Sequence, residues 1–185
     1  MLKHKTEIMD AQTMKRAITR IAHEIIEKNK GTNDLVIIGI QRRGIHIAQR
    51  IANRIKLEDN VEIPVGSLDI GFYKDDLSTI SDNPIVKGYS INFSINNKVV
   101  ILVDDVLYTG RTIRTSIDLL LELGKPSCIQ LAELIDRGHR ELPIRADYSG
   151  KNVPTSTDEV VNVKILEVDG CDEVIISQIK TSILM

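Results

Sequence analysis

The chain of 185 residues contains no tryptophan, two phenylalanines and four tyrosines, so aromatic residues make up 3% of it. Another residue type must fill a core, and isoleucine, present 29 times, supplies β-branched volume that suits strands. Hydrophobic residues still total 42%, which excludes a disordered chain. The length is that of one domain able to bury a core. Cysteine is nearly missing. Cys128 and Cys171 have no CxxC or His-rich company, which argues against a zinc site or disulfide framework and points to a reducing cytoplasm. No apolar run approaches the ~18 residues of a membrane span; the longest clean ones are Val99–Val103 and Leu35–Ile40. Met1–Asp10 is polar and charged, with no sign of a secretory signal. An excess of either charge is also missing: 24 Lys and Arg face 26 Asp and Glu, a net charge of −2. That excludes nucleic-acid binding by bulk electrostatics but leaves room for a local basic face. With no repeat and no low-complexity linker, residues 1–185 read as a single domain.

The hydrophobic pattern alternates between two periods. Met14, Ile18, Ile21 and Ile25 form one stripe of a first helix, which Gly31 ends. Leu35–Ile40 reads as a strand buried on both faces, followed by the turn 41–44 and a helix with Ile45, Ala48, Ile51, Ala52 and Ile55 inward. Val61–Ile70 alternates as a strand. Gly71–Gly88 is polar and aperiodic, the pattern of a long binding loop or lid. Lys98–Val103 is the next buried strand, and a helix carrying Ile113, Ile117, Leu120 and Leu121 runs until Gly124 and Pro126. Ile129–Ile135, Glu159–Leu166 and Glu173–Ser177 read as further strands. This alternation predicts an α/β fold: a mainly parallel sheet with helices on both faces, plus a small extra piece built from the chain ends.

The chemistry concentrates in Val99–Thr112. An aliphatic strand delivers Asp104 and Asp105, and Thr109-Gly110-Arg111-Thr112 then opens a helix. Ligands of open α/β sheets sit at the carboxyl ends of strands. The unpaired N–H groups of a helix start suit a phosphate, and Gly110 allows close backbone approach. Two carboxylates beside a phosphate would repel it unless sugar hydroxyls or a hydrated Mg²⁺ mediate. The combination asks for a sugar phosphate. A Walker-type metal site would need a GxxxxGK[ST] loop, and neither Gly124-Lys125 nor Gly150-Lys151 continues with Ser or Thr.

VVILVDDVLYTGRT resembles the phosphoribosyl-pyrophosphate (PRPP) motif of type I phosphoribosyltransferases. The strings TRIAHEI, GIQRRG, FYKDDL, VKG, DRGHRELPIRADYSGKNVPTS and EVDG, in that order over nearly the whole chain, resemble the family of pyrimidine operon attenuation proteins. The resemblance implies a type I phosphoribosyltransferase fold with a hood made from the N-terminal segment and about residues 150–185. It implies two activities: uracil plus PRPP giving UMP and pyrophosphate with Mg²⁺, and UMP-sensitive binding of pyrimidine operon leader RNA. Val103, Asp104, Asp105, Val106, Leu107, Tyr108, Thr109, Gly110, Arg111 and Thr112 match the PRPP motif. Gln41, Arg42, Arg43 and Gly44 match the pyrophosphate loop, which in this family usually carries a non-proline cis peptide. Lys-Thr-Arg is common there, so Gln41 and Arg42 depart from the pattern while Arg43 keeps it. Residues 71–88 match the mobile loop, in which Tyr73 and Lys74 would close over PRPP. Lys74 stands where arginine is common, offering a point charge without the bidentate fork. Arg137 and the backbone near Val161 are implied in base contact, although an arginine at a strand end is as often structural. Homodimers or homohexamers are implied as well. A purine-type phosphoribosyltransferase of salvage, without RNA binding, stays open as the alternative.

Two stretches are locally basic. Residues 11–30 carry five Lys and Arg against two Glu, and residues 137–151 carry four against Glu141 and Asp147. Alone, these read as ordinary solvated faces. The resemblance assigns RNA contact to Thr19, Arg20, His23, Arg140, Arg145 and Lys151. Arg and Lys neutralise phosphates, while His and Thr bond or pack on unpaired bases.

Overall fold

The computed structural model describes residues 3–74 and 80–178. In chain order the elements are β1 (Lys3–Met9), α1 (Ala11–Lys28), β2 (Leu35–Ile40), α2 (Arg43–Asp59), β3 (Val65–Lys74), β4 (Ile80–Ser90), β5 (Val99–Leu107), α3 (Arg111–Leu123), β6 (Cys128–Asp136), β7 (Tyr148–Asn152), β8 (Glu159–Lys164), α4 (Leu166–Asp169) and β9 (Glu173–Gln178). A six-stranded sheet runs β4-β3-β2-β5-β6-β7, and a three-stranded sheet runs β1-β9-β8. In the larger sheet all pairings are parallel except β3 with β4. The smaller sheet is antiparallel and joins the two chain ends.

The helices cover both faces of the larger sheet because each has one apolar stripe. α1 buries Met14, Ile18, Ile21 and Ile25, and α2 buries Ile47, Ile51 and Ile55, all in one core with Ile101, Val103, Ala132 and Leu134. On the opposite face α3 buries Ile113, Leu119 and Leu120 against Ile38, Leu68, Val100 and Leu102. Each isoleucine fully removed from water contributes about 1.5–3 kcal/mol. Asp10 starts α1 by accepting the Thr13 amide at 2.7 Å. Among the described residues no helix is long and apolar enough to cross a membrane.

Several boundaries differ from the sequence reading. Gly71–Gly88 is not an aperiodic loop throughout: residues 71–74 extend β3, and residues 80–88 lie in β4. Residues 75–79 lie outside the described residues, as do the side chains of Tyr73 and Lys74. β4 is an edge strand, the one place where Pro84 and a polar sequence are compatible with sheet pairing. β3 starts at Val65 rather than Val61. β5 does not stop at Val103 but continues through both aspartates to Leu107, because β6 pairs with it as far as Leu107 opposite Asp136. β1 and β7 were not legible: the charged Lys3–Met9 is a strand because β9 pairs with it, and Tyr148–Asn152 because β6 does.

Candidate functional site

The carboxyl end of β5 lies between two helix starts. Gly44 makes the first approach close: a Cβ there would stand 2.5 Å from the Val103 carbonyl oxygen and 3.0 Å from the Asp104 Cα. Only glycine lets α2 begin against the end of β5, which brings Arg43 beside Asp105. The Gln41–Arg42 peptide bond is cis. Gln41 donates its amide to the Leu68 carbonyl at 2.7 Å, and its Nε2 to Ser67 Oγ at 3.4 Å. On the other side Gly110, at φ +92°, turns the chain into α3, a conformation favouring a residue without Cβ. The turn is held from outside: the Thr109 carbonyl accepts the Glu141 amide at 3.0 Å, and Arg111 Nε donates to Glu141 Oε2 at 2.7 Å. Ser116 Oγ donates to the Thr112 carbonyl at 2.9 Å. Among the described residues neither N-cap residue makes a side-chain cap, and although Thr109 Oγ1 accepts the Arg111 amide at 3.4 Å, the other first-turn N–H groups of α2 and α3 are left for an incoming anion.

Between these helix starts sit the two acids. Asp104 is 9% exposed, and its Oδ1 accepts the Asp105 amide at 2.9 Å. Burial first, then the Asp105 charge, pushes its carboxyl well above the usual aspartate range. Asp105 is raised as well, chiefly by burial, with the Arg43 charge opposing. A cavity of about 310 Å³ opens between Asp105 and the smaller sheet, lined by Arg43, Val161, Lys164, Asp169 and Ser177 among others. Arg43 closes its mouth, donating from Nε and Nη2 to Asp169 at 2.9 and 2.7 Å.

The smaller sheet offers this cavity an unpaired edge. Among the described residues β8 is the outer strand, bonded to β9 on one side only. The Glu159 carbonyl on its free edge accepts Arg137 Nη2 at 2.7 Å. Because backbone groups alternate sides along a strand, the N–H and C=O of Val161 point to that same free edge. A planar base with donors and acceptors on its rim could be read there by main chain alone.

The residues singled out from sequence fall into three groups. Arg43, Asp104, Asp105, Val161 and the Thr109–Thr112 turn converge at the strand ends, as do Val103, Val106 and Leu107 of β5. Arg137 is buried at the edge of this region, but its donors go to Thr155 Oγ1 at 3.0 Å and to the Glu159 carbonyl, while its guanidinium lies 4.1 Å from the Tyr108 ring centre. It ties the strand-end loop to the segment leading into β8. Asp169 and Lys164 carried no role in the sequence reading. EVDG was the signal for Asp169, and its contact with Arg43 needs the tertiary fold.

Thr19, Arg20 and His23 share the outer side of α1. Arg20 Nη2 donates to the Ser149 and Gly150 carbonyls at 2.9 and 2.6 Å, and Lys151 Nζ to the Ile8 carbonyl at 3.1 Å. Helix, β7 and β1 thus bring these four together, and a shallow groove of about 270 Å³ adds Lys15 and Arg16. Arg145 is exposed just before β7. Arg140 is placed differently: half-buried, it donates to the Leu107, Tyr108 and Ile144 carbonyls and pairs with Asp136.

Among the described residues no group of three or more His, Cys, Asp or Glu could hold a metal ion. Two carboxylates, one facing Arg43, fit a divalent cation that arrives on a phosphorylated ligand and keeps its waters.

A parallel sheet with uncapped helix starts flanking an acid pair defines a phosphoribosyltransferase, and a phosphoribosyl transferase domain matches residues 4–167. Among solved structures the hypoxanthine phosphoribosyltransferase of Staphylococcus aureus superposes with a TM-score of 0.72 at 19% identity, covering 100% of this chain and 95% of that one. The hypoxanthine-guanine enzyme of Bacillus anthracis superposes at 0.74 and 20% identity, covering 94% and 98%. At such identities the likeness shows the fold alone. Sequence similarity goes further. The Bifunctional protein PyrR of Acetivibrio thermocellus is 60% identical over 179 residues, 97% of each chain, and that of Clostridioides difficile 54% over 174 residues, 94% of this chain and 98% of the other. The chain belongs to the PyrR family of phosphoribosyltransferases.

Proposed function

We propose that the protein transfers phosphoribose from PRPP to uracil, giving UMP and pyrophosphate, and that it binds pyrimidine operon leader RNA under control of the same nucleotide site. The observation that carries the first activity is the placement of Asp104 and Asp105 between two uncapped helix starts. Such a site suits a ribose with one phosphate group on either side. The 5′-phosphate goes to Thr109–Thr112, the ribose hydroxyls to Asp104 and Asp105, and the pyrophosphate to Arg43 and the backbone of Gln41 and Arg42. Mg²⁺ comes with PRPP and spreads the charge of the leaving pyrophosphate. Uracil lies toward the free edge of β8 near Val161. Anomeric displacement needs no protein nucleophile; positioning and charge stabilisation carry the rate. Residues 71–88 act as the lid, with Lys74 supplying a cation to the leaving pyrophosphate.

The second activity rests on the α1–β7 face together with the similarity to pyrimidine operon attenuation proteins. Arg20, Lys151, Arg145 and the neighbouring Lys15 and Arg16 supply phosphate contacts, and Thr19 and His23 supply contacts to unpaired bases. Arg140 serves this face by shaping the loop that precedes β7. Both activities belong to the cytoplasm, where PRPP and the transcript are, and a homodimer or homohexamer is the expected assembly.

A gel-shift titration with the pyrimidine operon leader RNA, with and without UMP, tests the reading. Binding tightened by UMP supports it, since a nucleotide shifts the RNA-competent state only through differential affinity. Active enzyme without specific RNA binding would leave a salvage phosphoribosyltransferase. A base panel decides the substrate: turnover of hypoxanthine but not uracil would overturn the uracil assignment.

A further inference from the structure

One side chain behind the acid pair has no place in the scheme above. Glu133, in the middle of β6, is 0% exposed, and among the described residues neither of its carboxyl oxygens has a hydrogen-bond partner. Its neighbours on the strand are aliphatic: Leu131, Ala132, Leu134 and Ile135 are all buried. In the parallel register Glu133 lies directly opposite Asp104. Paired residues of adjacent strands project to the same face, about 4.8 Å apart. Ala132, Leu134 and Val103 belong to the α1–α2 core, so alternation along the strands puts Glu133 and Asp104 on the α3 side of the sheet.

The charges around Glu133 are mostly of its own sign. Among the charges that act on it, Asp104 and Asp105 of β5 and Asp136 of its own strand share its sign, and Arg140 of the following loop, which is paired with Asp136, opposes it. Its β7 register partner is the uncharged Ser149, and the inward residues of α3 (Ile113, Ser116, Leu119 and Leu120) carry no charge. A buried carboxylate without hydrogen bonds, close to three other acids, is strongly disfavoured; the neutral acid, which leaves only an uncharged group unpaired, costs far less.

We propose that Glu133 is a positioning residue for the ribose-binding acid Asp104, a proton-bearing carboxyl whose neutrality leaves Asp104 free to be the charged partner of the ribose hydroxyls. The proposal rests on the PRPP-site reading above. A negative Glu133 behind Asp104 would oppose its ionisation and weaken PRPP binding, without touching substrate. Burial, then Asp104 and Asp105, hold the Glu133 proton well above the usual glutamate range, in keeping with this arrangement.

The test is direct PRPP binding in the presence of Mg²⁺, by calorimetry on the full chain between pH 6 and pH 10, for wild type, Glu133→Gln and Glu133→Leu. In wild type, affinity should fall as Glu133 ionises, by up to about tenfold per pH unit. The fall should saturate at roughly two-hundredfold, the effect of two charges about 5 Å apart at an effective dielectric of about 20. Glu133→Gln, isosteric and always neutral, should match wild type at neutral pH and lose the alkaline fall. Glu133→Leu guards against a folding artefact of the amide and should also show a flat profile. Superimposed profiles for wild type and Glu133→Gln overturn the inference while leaving the PRPP site intact. Absence of PRPP binding by wild type at every pH overturns the site reading itself.

Discussion

The ion pair between Arg43 and Asp169 sets two properties of the protein against each other. Arg43 belongs to the loop proposed to receive pyrophosphate, yet in the structure its guanidinium is engaged by a carboxylate of the smaller sheet's connection, at 2.9 and 2.7 Å. Asp169 also accepts the Ile165 amide at 3.0 Å, so one residue anchors α4 and holds Arg43. The Arg43 side chain is 32% exposed and that of Asp169 19%. A charge-assisted pair of this geometry would contribute about 1.5–3 kcal/mol if buried. Solvent screening reduces that to roughly 1 kcal/mol. Asp169→Asn keeps one acceptor oxygen and loses the charge, so we expect urea unfolding to show a loss of about 1 kcal/mol with an unchanged m value. PRPP binding should move the other way. An Arg43 no longer held by a carboxylate meets pyrophosphate without first breaking a bond, and about 1 kcal/mol is a fivefold fall in the PRPP Kd. The Arg43 hydrogen bonds hold the Asp169 carboxyl below its ordinary pKa of 3.8. The wild-type advantage in stability should therefore persist above pH 3.8 and vanish as pH falls through the lowered value. Weaker PRPP binding by Asp169→Asn would refute the reasoning, because Asp169 would then assist the ligand rather than compete for Arg43.

The other expectations are simpler. Arg145→Ala should weaken leader-RNA binding and make its dependence on log salt less steep by about one unit, with unfolding and PRPP binding unchanged; an unaltered salt slope would remove Arg145 from the phosphate contacts. Gly110→Ala places a Cβ at φ +92°, in ordinary contact with Ile144 and Leu142 at 3.4–3.5 Å, so the cost is conformational, about 1–2 kcal/mol in a thermal or urea melt, with a raised KM for PRPP as the turn shifts. Tyr148→Phe removes a hydroxyl that donates to Gln130 Oε1 at 2.6 Å and accepts from Asn29 at 3.2 Å, and should cost about 1–2 kcal/mol in urea. Burial pushes the Tyr148 hydroxyl up to about 12, so that difference should hold below pH 10 and disappear as pH rises toward 12.

Much of the fold was written locally. The stripes at helical spacing and the aliphatic runs of Leu35–Ile40 and Val99–Val103 have a single good burial solution, so strand, helix and parallel order could be read without coordinates. The Thr109–Thr112 turn was legible for the same reason, since acids, threonines and a glycine between a strand and a helix constrain one another within a dozen residues. What tertiary structure decided was every feature whose partner lies far along the chain. Lys3–Met9 has no strand pattern of its own and becomes one beside β9, while Ile80–Ser90 tolerates Pro84 only because it is an edge. Arg20 and Arg140 look alike in sequence, yet Arg20 reaches the β7 carbonyls from the outer side of α1 while Arg140 is bound by carbonyls at the end of β5. Glu133 reads as one acid in an aliphatic run; that it stands behind Asp104 follows from the register of β5 with β6. Local sequence sets periodicity and turn chemistry, whereas register and long-range ion pairs depend on where the packed layers bring distant residues.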